Sequence, residues 1–102
     1  MKPTPEELTE ILAAHQRWVT TSEDPTGRRA DLTGADLTWA TLTGADLTRA
    51  DLREVNLTGA DLTGADLTGA TLTGADLTGT NLRGTNLTRA TLRGINLRGA
   101  KP

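Results

Sequence analysis

The chain has no cysteine, no tyrosine and no phenylalanine, and only one methionine and one histidine. Without thiols it can form neither a disulfide nor a thiolate metal site. Two aromatic side chains, Trp18 and Trp39, and a hydrophobic content of 35% fall short of what a two-layer globule of 102 residues would bury. No segment approaches the ~20 consecutive apolar residues that span a bilayer. The first residues, Met-Lys-Pro-Thr-Pro-Glu-Glu, lack the apolar stretch of a secretory signal. One cytoplasmic domain, clear of the membrane, is the expectation at this length.

Each region also lacks a balance of charge. Residues 30–79 carry seven Asp and Glu54 against Arg49 and Arg53. Residues 80–102 carry Arg83, Arg89, Arg93, Arg98 and Lys101 with no acid at all. A net charge of −2 therefore hides a polarity along the chain.

What is present in abundance is a period. Leucine occupies every fifth position from Leu32 to Leu97, fourteen times without a miss. On an α-helix five residues turn ~500°, which would scatter successive leucines around the surface. On a flat strand an odd period puts alternate leucines on opposite faces. The spacing works only if the chain bends once every five residues and gathers the leucines on a common axis. Gly supplies the bend: in Leu32-Thr33-Gly34-Ala35 it stands third in a four-residue turn, where type II geometry requires φ > 0. Trp39, Arg49, Glu54 and Arg89 replace that Gly, so these four corners are predicted to adopt another turn type.

Ahead of the repeat, residues 4 to about 20 read as a helix. Thr4 is a good N-cap, Pro5 suits the first helical position, and Glu7 completes a capping box. Leu8, Ile11, Leu12, His15, Trp18 and Val19 recur at helical steps and give one apolar face. Residues 20–29 carry the turn residues of a connector.

The repeated word, Ala-(Asp/Asn/Thr)-Leu-(Thr/Arg)-Gly, resembles the Ala-(Asp/Asn)-Leu-X-X word of the pentapeptide-repeat family over residues 30–99. The resemblance implies an all-β solenoid, a right-handed quadrilateral β-helix with four words per coil. Residues 30–102 would then make about three and a half coils, and residues 1–29 would form an N-terminal α-helical cap and connector. Leucine and the residue before the Asp would point inward, and the others outward. Trp39, on an outer corner of the first coil, is expected beneath the helix against Trp18, with an exposed recognition aromatic as the alternative. His15 belongs to the same packed junction. Thr80 and Thr85, at inward positions, are expected to bond nearby backbone.

Words twenty residues apart should stack. Asp31, Asp36, Asp46, Asp51, Asp61, Asp66 and Asp76 then line outer columns with Asn and Thr interleaved, a pattern suited to side-chain ladders from coil to coil. They are the candidate acidic surface for a partner. Arg83, Arg89, Arg93, Arg98 and Lys101 form a candidate basic end, either a guard against edge-to-edge stacking or a contact surface.

Chemistry finds little foothold. One histidine without a second His or a Cys holds no metal, and no Ser-His-Asp or Cys-His set is available. The Asp spacing fits neither a calcium β-roll nor an EF-hand loop. No enzyme and no cofactor are expected. A structural or protein–protein interaction module is the leading reading, monomeric or weakly dimeric through the C-terminal end. Similarity to acidic quinolone-resistance members makes a DNA-mimicking binder of DNA gyrase the first alternative. Anion or nucleic-acid contact through the basic last coil is the second, weakened by the lack of interleaved aromatics. Irregular words such as Ala50-Asp51-Leu52-Arg53-Glu54 argue against a plain consensus design.

Overall fold

The computed structural model describes residues 1–21 and 23–102. Helix α1 spans Pro5–Thr20. Its start follows from local chemistry: the Glu7 N–H donates to Thr4 Oγ1 at 3.1 Å, and Glu7 Oε1 accepts from the Thr4 N–H at 2.9 Å. Pro5 has no N–H to leave unpaired, so this exchange satisfies two of the three orphan donors of the first turn. In the connector Asp24 caps its own turn, Oδ1 accepting from the Thr26 N–H at 2.8 Å. Gly27 is required there, since a Cβ would lie 2.8 Å from the Trp18 backbone nitrogen. Ser22 of the connector lies outside the described residues.

From Asp31 onward every word repeats one geometry. Its first residue makes a single parallel bridge to the residue twenty positions on, from Asp31↔Asp51 to Asn81↔Lys101. Twenty residues in four words therefore close one coil, and Thr41, Asp61 and Asn81 stand in one file. Leu42, Leu62 and Leu82 follow them in register. The sides are too short for extended strands, because each word spends its third and fourth residues on a corner.

The coils are joined by backbone hydrogen bonds in both directions. The Leu42 N–H donates to the Asp61 carbonyl at 2.8 Å, and the Gly44 N–H to the Thr63 carbonyl at 2.8 Å. The Asp61 N–H returns a bond to the Ala40 carbonyl at 2.9 Å. The words from Asp51 to Gly79 each repeat this set, so backbone polar groups on the interior coils find partners without a conventional sheet.

Ten leucines, Leu32 to Leu77, are 0–3% exposed and form one continuous column with Val55 and the inward alanines. The column thins at its C-terminal end. Leu82 and Leu87 are half-buried, and Leu92 and Leu97 are 37% and 47% exposed, because no further coil lies beneath them in the structure. Thr80 and Thr85 enter the column by donating their hydroxyls to the Leu57 and Leu62 carbonyls, each at 2.7 Å.

The prediction for the four glycine-free corners is wrong. Trp39, Arg49, Glu54 and Arg89 have φ of +63°, +61°, +58° and +60°, the left-handed region that the corner glycines occupy at +66° to +73°. Each such residue costs ~1–2 kcal/mol relative to an ordinary torsion. The coil overrides that preference because the corner must also place its N–H on the coil below: the Arg49 N–H reaches the Thr68 carbonyl at 2.8 Å. The side chains of three of these residues lean over the glycine twenty positions on. Trp39 lies across Gly59, Arg49 Cγ over Gly69 and Glu54 Cγ over Gly74.

Candidate functional site

Three places on this rod bring together side chains with something to do. The first is the junction of α1 with the first coil. There Leu8, Ile11 and Leu12 pack on the end of the leucine column. His15 is fully buried between them and the coil. Its Nε2–H donates to the Thr48 carbonyl at 2.8 Å, and its Nδ1 accepts from the Ala30 N–H at 2.8 Å. This pattern admits only the neutral Nε2–H tautomer. In the coil register the Thr48 carbonyl would receive a corner N–H from a preceding coil; the imidazole stands in for it. Burial pushes the His15 ring below its ordinary 6.5, with Arg29 and Arg49 adding to the fall against the Thr48 carbonyl and Asp46. Trp18 stacks on His15 with ring centroids 5.4 Å apart, and the Arg49 guanidinium lies 4.8 Å from the Trp18 ring.

The second place is Trp39. It does not pack beneath α1 against Trp18 as the sequence suggests; it is 74% exposed. Its ring covers Gly59 on the outside of the rod and borders a groove of about 440 Å³ between α1 and the first coil. Pro3, Pro5, Leu8, Leu12, Leu37 and Ala40 give that groove an apolar wall, with Lys2 and Asp36 on its rim. The physical reason is the left-handed torsion, which sends the side chain at position 39 away from the coil axis and down toward the second coil.

The third is the set of outward acids, whose chemistry differs from the expected ladders. In all eleven words that begin with Asp or Asn, Oδ1 accepts the backbone N–H two residues on. In six of them it also accepts the Thr hydroxyl at that position, as Asp61 does from Thr63 and Asp66 from Thr68 at 2.5 Å. These bonds run along the chain within a word; Thr43 and Thr48 of the preceding coil add a lesser contribution at Asp61 and Asp66. The Asx-X-Thr spacing was the available signal, since short polar side chains favour bonding the backbone two residues on.

The same bonds hold the carboxyls of Asp36, Asp61, Asp66 and Asp76 below the usual carboxylate range, the Thr hydroxyl acting most and the N–H next. Asp51 differs. It is only 8% exposed and is gripped by the Arg53 guanidinium at 2.8 and 2.6 Å, which lowers its pKa to about 2. Asp51 is therefore unavailable to a partner and leaves the candidate acidic surface. Asp31 is exposed on one side of the rod, and Asp36, Asp46, Asp61, Asp66 and Asp76 are half-buried on the other three. Lys2 approaches Asp36 at 4.0 Å.

The basic residues are not gathered into a patch. Arg83, Arg89, Arg93, Arg98 and Lys101 are all exposed, but the register distributes them around every side of the last coil. Among the described residues no group of three His, Cys, Asp or Glu side chains is placed to hold a metal ion.

Comparison with known proteins matches residues 30–69 and 65–101 to the family model described as pentapeptide repeats. No curated protein matches the chain. Among solved structures, the chain is similar to the pentapeptide repeat protein Rfr23 from the cyanobacterium Cyanothece 51142, at 35% identity and a TM-score of 0.58 over 71% of this chain and 56% of that one. A pentapeptide repeat protein from Nostoc Pcc 7120 is 34% identical with a TM-score of 0.50, over 98% of this chain and 75% of that one. One from the Arabidopsis thaliana thylakoid lumen is 40% identical with a TM-score of 0.48, over 72% and 54%. The chain thus spans little more than half the length of two of these three.

Proposed function

The chain belongs to the pentapeptide-repeat family, and from that premise we propose that it is a non-enzymatic docking module. In this reading α1 caps the β-helix, and the Trp39 corner is where a protein partner makes contact. Likeness to the solved family members implies a right-handed β-helix, a form that presents flat sides and corners to a partner. None of the described helices is long and apolar enough to cross a membrane.

The observation that carries the proposal is the exposure of Trp39. Among the described residues it is the most exposed large apolar side chain, at 74%. It occupies a left-handed corner, φ +63°, where glycine would avoid a cost of ~1–2 kcal/mol. Every corner takes this torsion, so what singles out position 39 is the exposed aromatic ring where glycine is the usual residue. Tryptophan is also enriched among the few residues that dominate interface energy. The groove beside it supplies an apolar wall for a partner's side chain, and Lys2 and Asp36 supply a polar rim.

The outward carboxylates support the complementary half of this reading. Each Asp Oδ1 is occupied by its own turn, so the acids shape the coil first and offer a partner only what remains. Trp39→Gly tests the proposal, because it restores the family's usual corner and should leave thermal stability within ~1 kcal/mol of the parent. Partners retained by the parent in quantitative affinity capture should be lost from this variant. If the two capture the same proteins to the same extent, Trp39 is not the contact.

A further inference from the structure

We propose that His15 is a pH-sensitive latch, and that acidification releases α1 from the first coil. The inference rests on the junction itself and holds whether or not Trp39 meets a partner. His15 is fully buried, and each ring nitrogen is already committed to a group of opposite character. Nε2–H donates to the Thr48 carbonyl, and Nδ1 accepts from the Ala30 N–H, both at 2.8 Å.

An imidazolium carries a hydrogen on both nitrogens. Its Nδ1–H would then point at the Ala30 N–H, donor against donor, at a distance that requires an acceptor. A ring flip does not help, since a cation has no acceptor to offer on either side. The Ala30 N–H is restrained from both sides, by the Ala30 carbonyl bonded to the Asp51 N–H at 3.0 Å and by the Arg29 side chain bonded to the Arg49 carbonyl. The conflict is relieved by separating the helix from the coil.

The charged surroundings do not rescue the cation. On the coil side Asp46 favours it, while Arg29 and Arg49 oppose it; on the helix side the ring meets Trp18. Arg29 is itself fixed, its Nε–H donating to the Arg49 carbonyl at 2.6 Å. The docked ring therefore takes up a proton less readily than the free one, whose ordinary value is ~6.5. Docking is fully supported above ~pH 6.5, where both states are neutral. Below it the undocked state binds the extra proton, and the docking constant falls by at most about tenfold per pH unit until the docked ring itself titrates. Release of α1 would uncover the first coil's leucines, which the helix now covers.

The test uses the full chain between pH 7.5 and 5. Hydrogen exchange, corrected for its intrinsic pH dependence, is measured for α1 amides against the Leu62 and Leu67 amides of the second coil, and the imidazole is titrated by NMR. The expected result is a loss of α1 protection of tenfold or more relative to the second coil, with the docked ring titrating below 6.5. In His15→Gln the relative protection should not vary with pH. A flat ratio in the parent chain would overturn the proposal, as would an equal slope in His15→Gln or a ring that titrates at 6.5 or above while α1 stays docked. Should the Gln variant fail to dock α1, the parent's exchange and ring titration decide the matter alone.

Discussion

Gly59→Ala is the perturbation that most directly tests how these corners are built. Gly59 has φ +70° and Gly64 has φ +69°, so a Cβ at either costs ~1–2 kcal/mol of left-handed strain. Part of that, ~0.4–1 kcal/mol, returns through a less flexible unfolded chain. The torsions leave a net loss of ~0.5–1 kcal/mol at each. The surroundings differ. A Cβ at Gly64 meets nothing within 4 Å, whereas at Gly59 it falls 2.3 Å from Trp39 Cε3 and Cζ3. The Trp39 ring must swing off the corner and give up what it buries there. A ring that is 74% exposed retains a quarter of its surface in contact. Taking ~60 Å² at ~25 cal/mol per Å², the lost packing is ~1.5 kcal/mol. Urea unfolding followed by circular dichroism should therefore show Gly59→Ala more damaging than Gly64→Ala by ~1–1.5 kcal/mol. In a Trp39→Gly background the excess should vanish, a double-mutant coupling of the same size. Equal losses at the two glycines, or an excess that survives removal of the indole, would refute the account of Trp39 as a ring laid across its neighbour.

The leucine column should be unequal along its length: Leu62→Ala, at a site with no exposure, should cost ~2–5 kcal/mol, and Leu97→Ala, 47% exposed, under ~1 kcal/mol by the same unfolding assay. Acid should weaken the coils through their own turns. Asp36, Asp61, Asp66 and Asp76 have carboxyls held below the ordinary 3.8, so their support is complete above that pH and is lost as pH falls through the folded values. Asp51 extends the loss down to about 2. Thermal melts from pH 5 to 2 should show the decline, and Asp→Asn at Asp61 and Asp66 should flatten it. DNA supercoiling by gyrase should proceed unchanged at micromolar protein, because the acids are engaged in turns and interleaved with Asn and Thr; inhibition would revive the DNA-mimic reading.

Much of the architecture was legible because it is periodic. Fourteen leucines at a spacing of five admit a winding chain and exclude both regular elements, and Thr4, Pro5 and Glu7 mark the start of α1 by local hydrogen bonding alone. At the corners intrinsic preference yields to register. Intrinsic preference argued against φ > 0 at Trp39, Arg49, Glu54 and Arg89, but propensity is worth one or two kcal/mol while the register of a whole coil depends on each corner N–H. Stacked columns of Asp, Asn and Thr suggest contacts between coils, but the polar groups two residues along the chain are nearer and take the Asx oxygens first.

The amino-acid sequence by itself determined the winding, the inward leucines and the bend at each word, since a strict period leaves one way to bury apolar side chains together. Tertiary structure decided what depends on neighbours twenty residues or more away. Only the stacked register placed Trp39 outside on Gly59, withdrew Asp51 from solvent, and distributed the C-terminal cations around the rod. Only the docking of α1 turned His15 from a lone histidine into a substitute for missing backbone, because the Thr48 carbonyl and the Ala30 N–H meet on opposite sides of its ring in the folded chain and nowhere else.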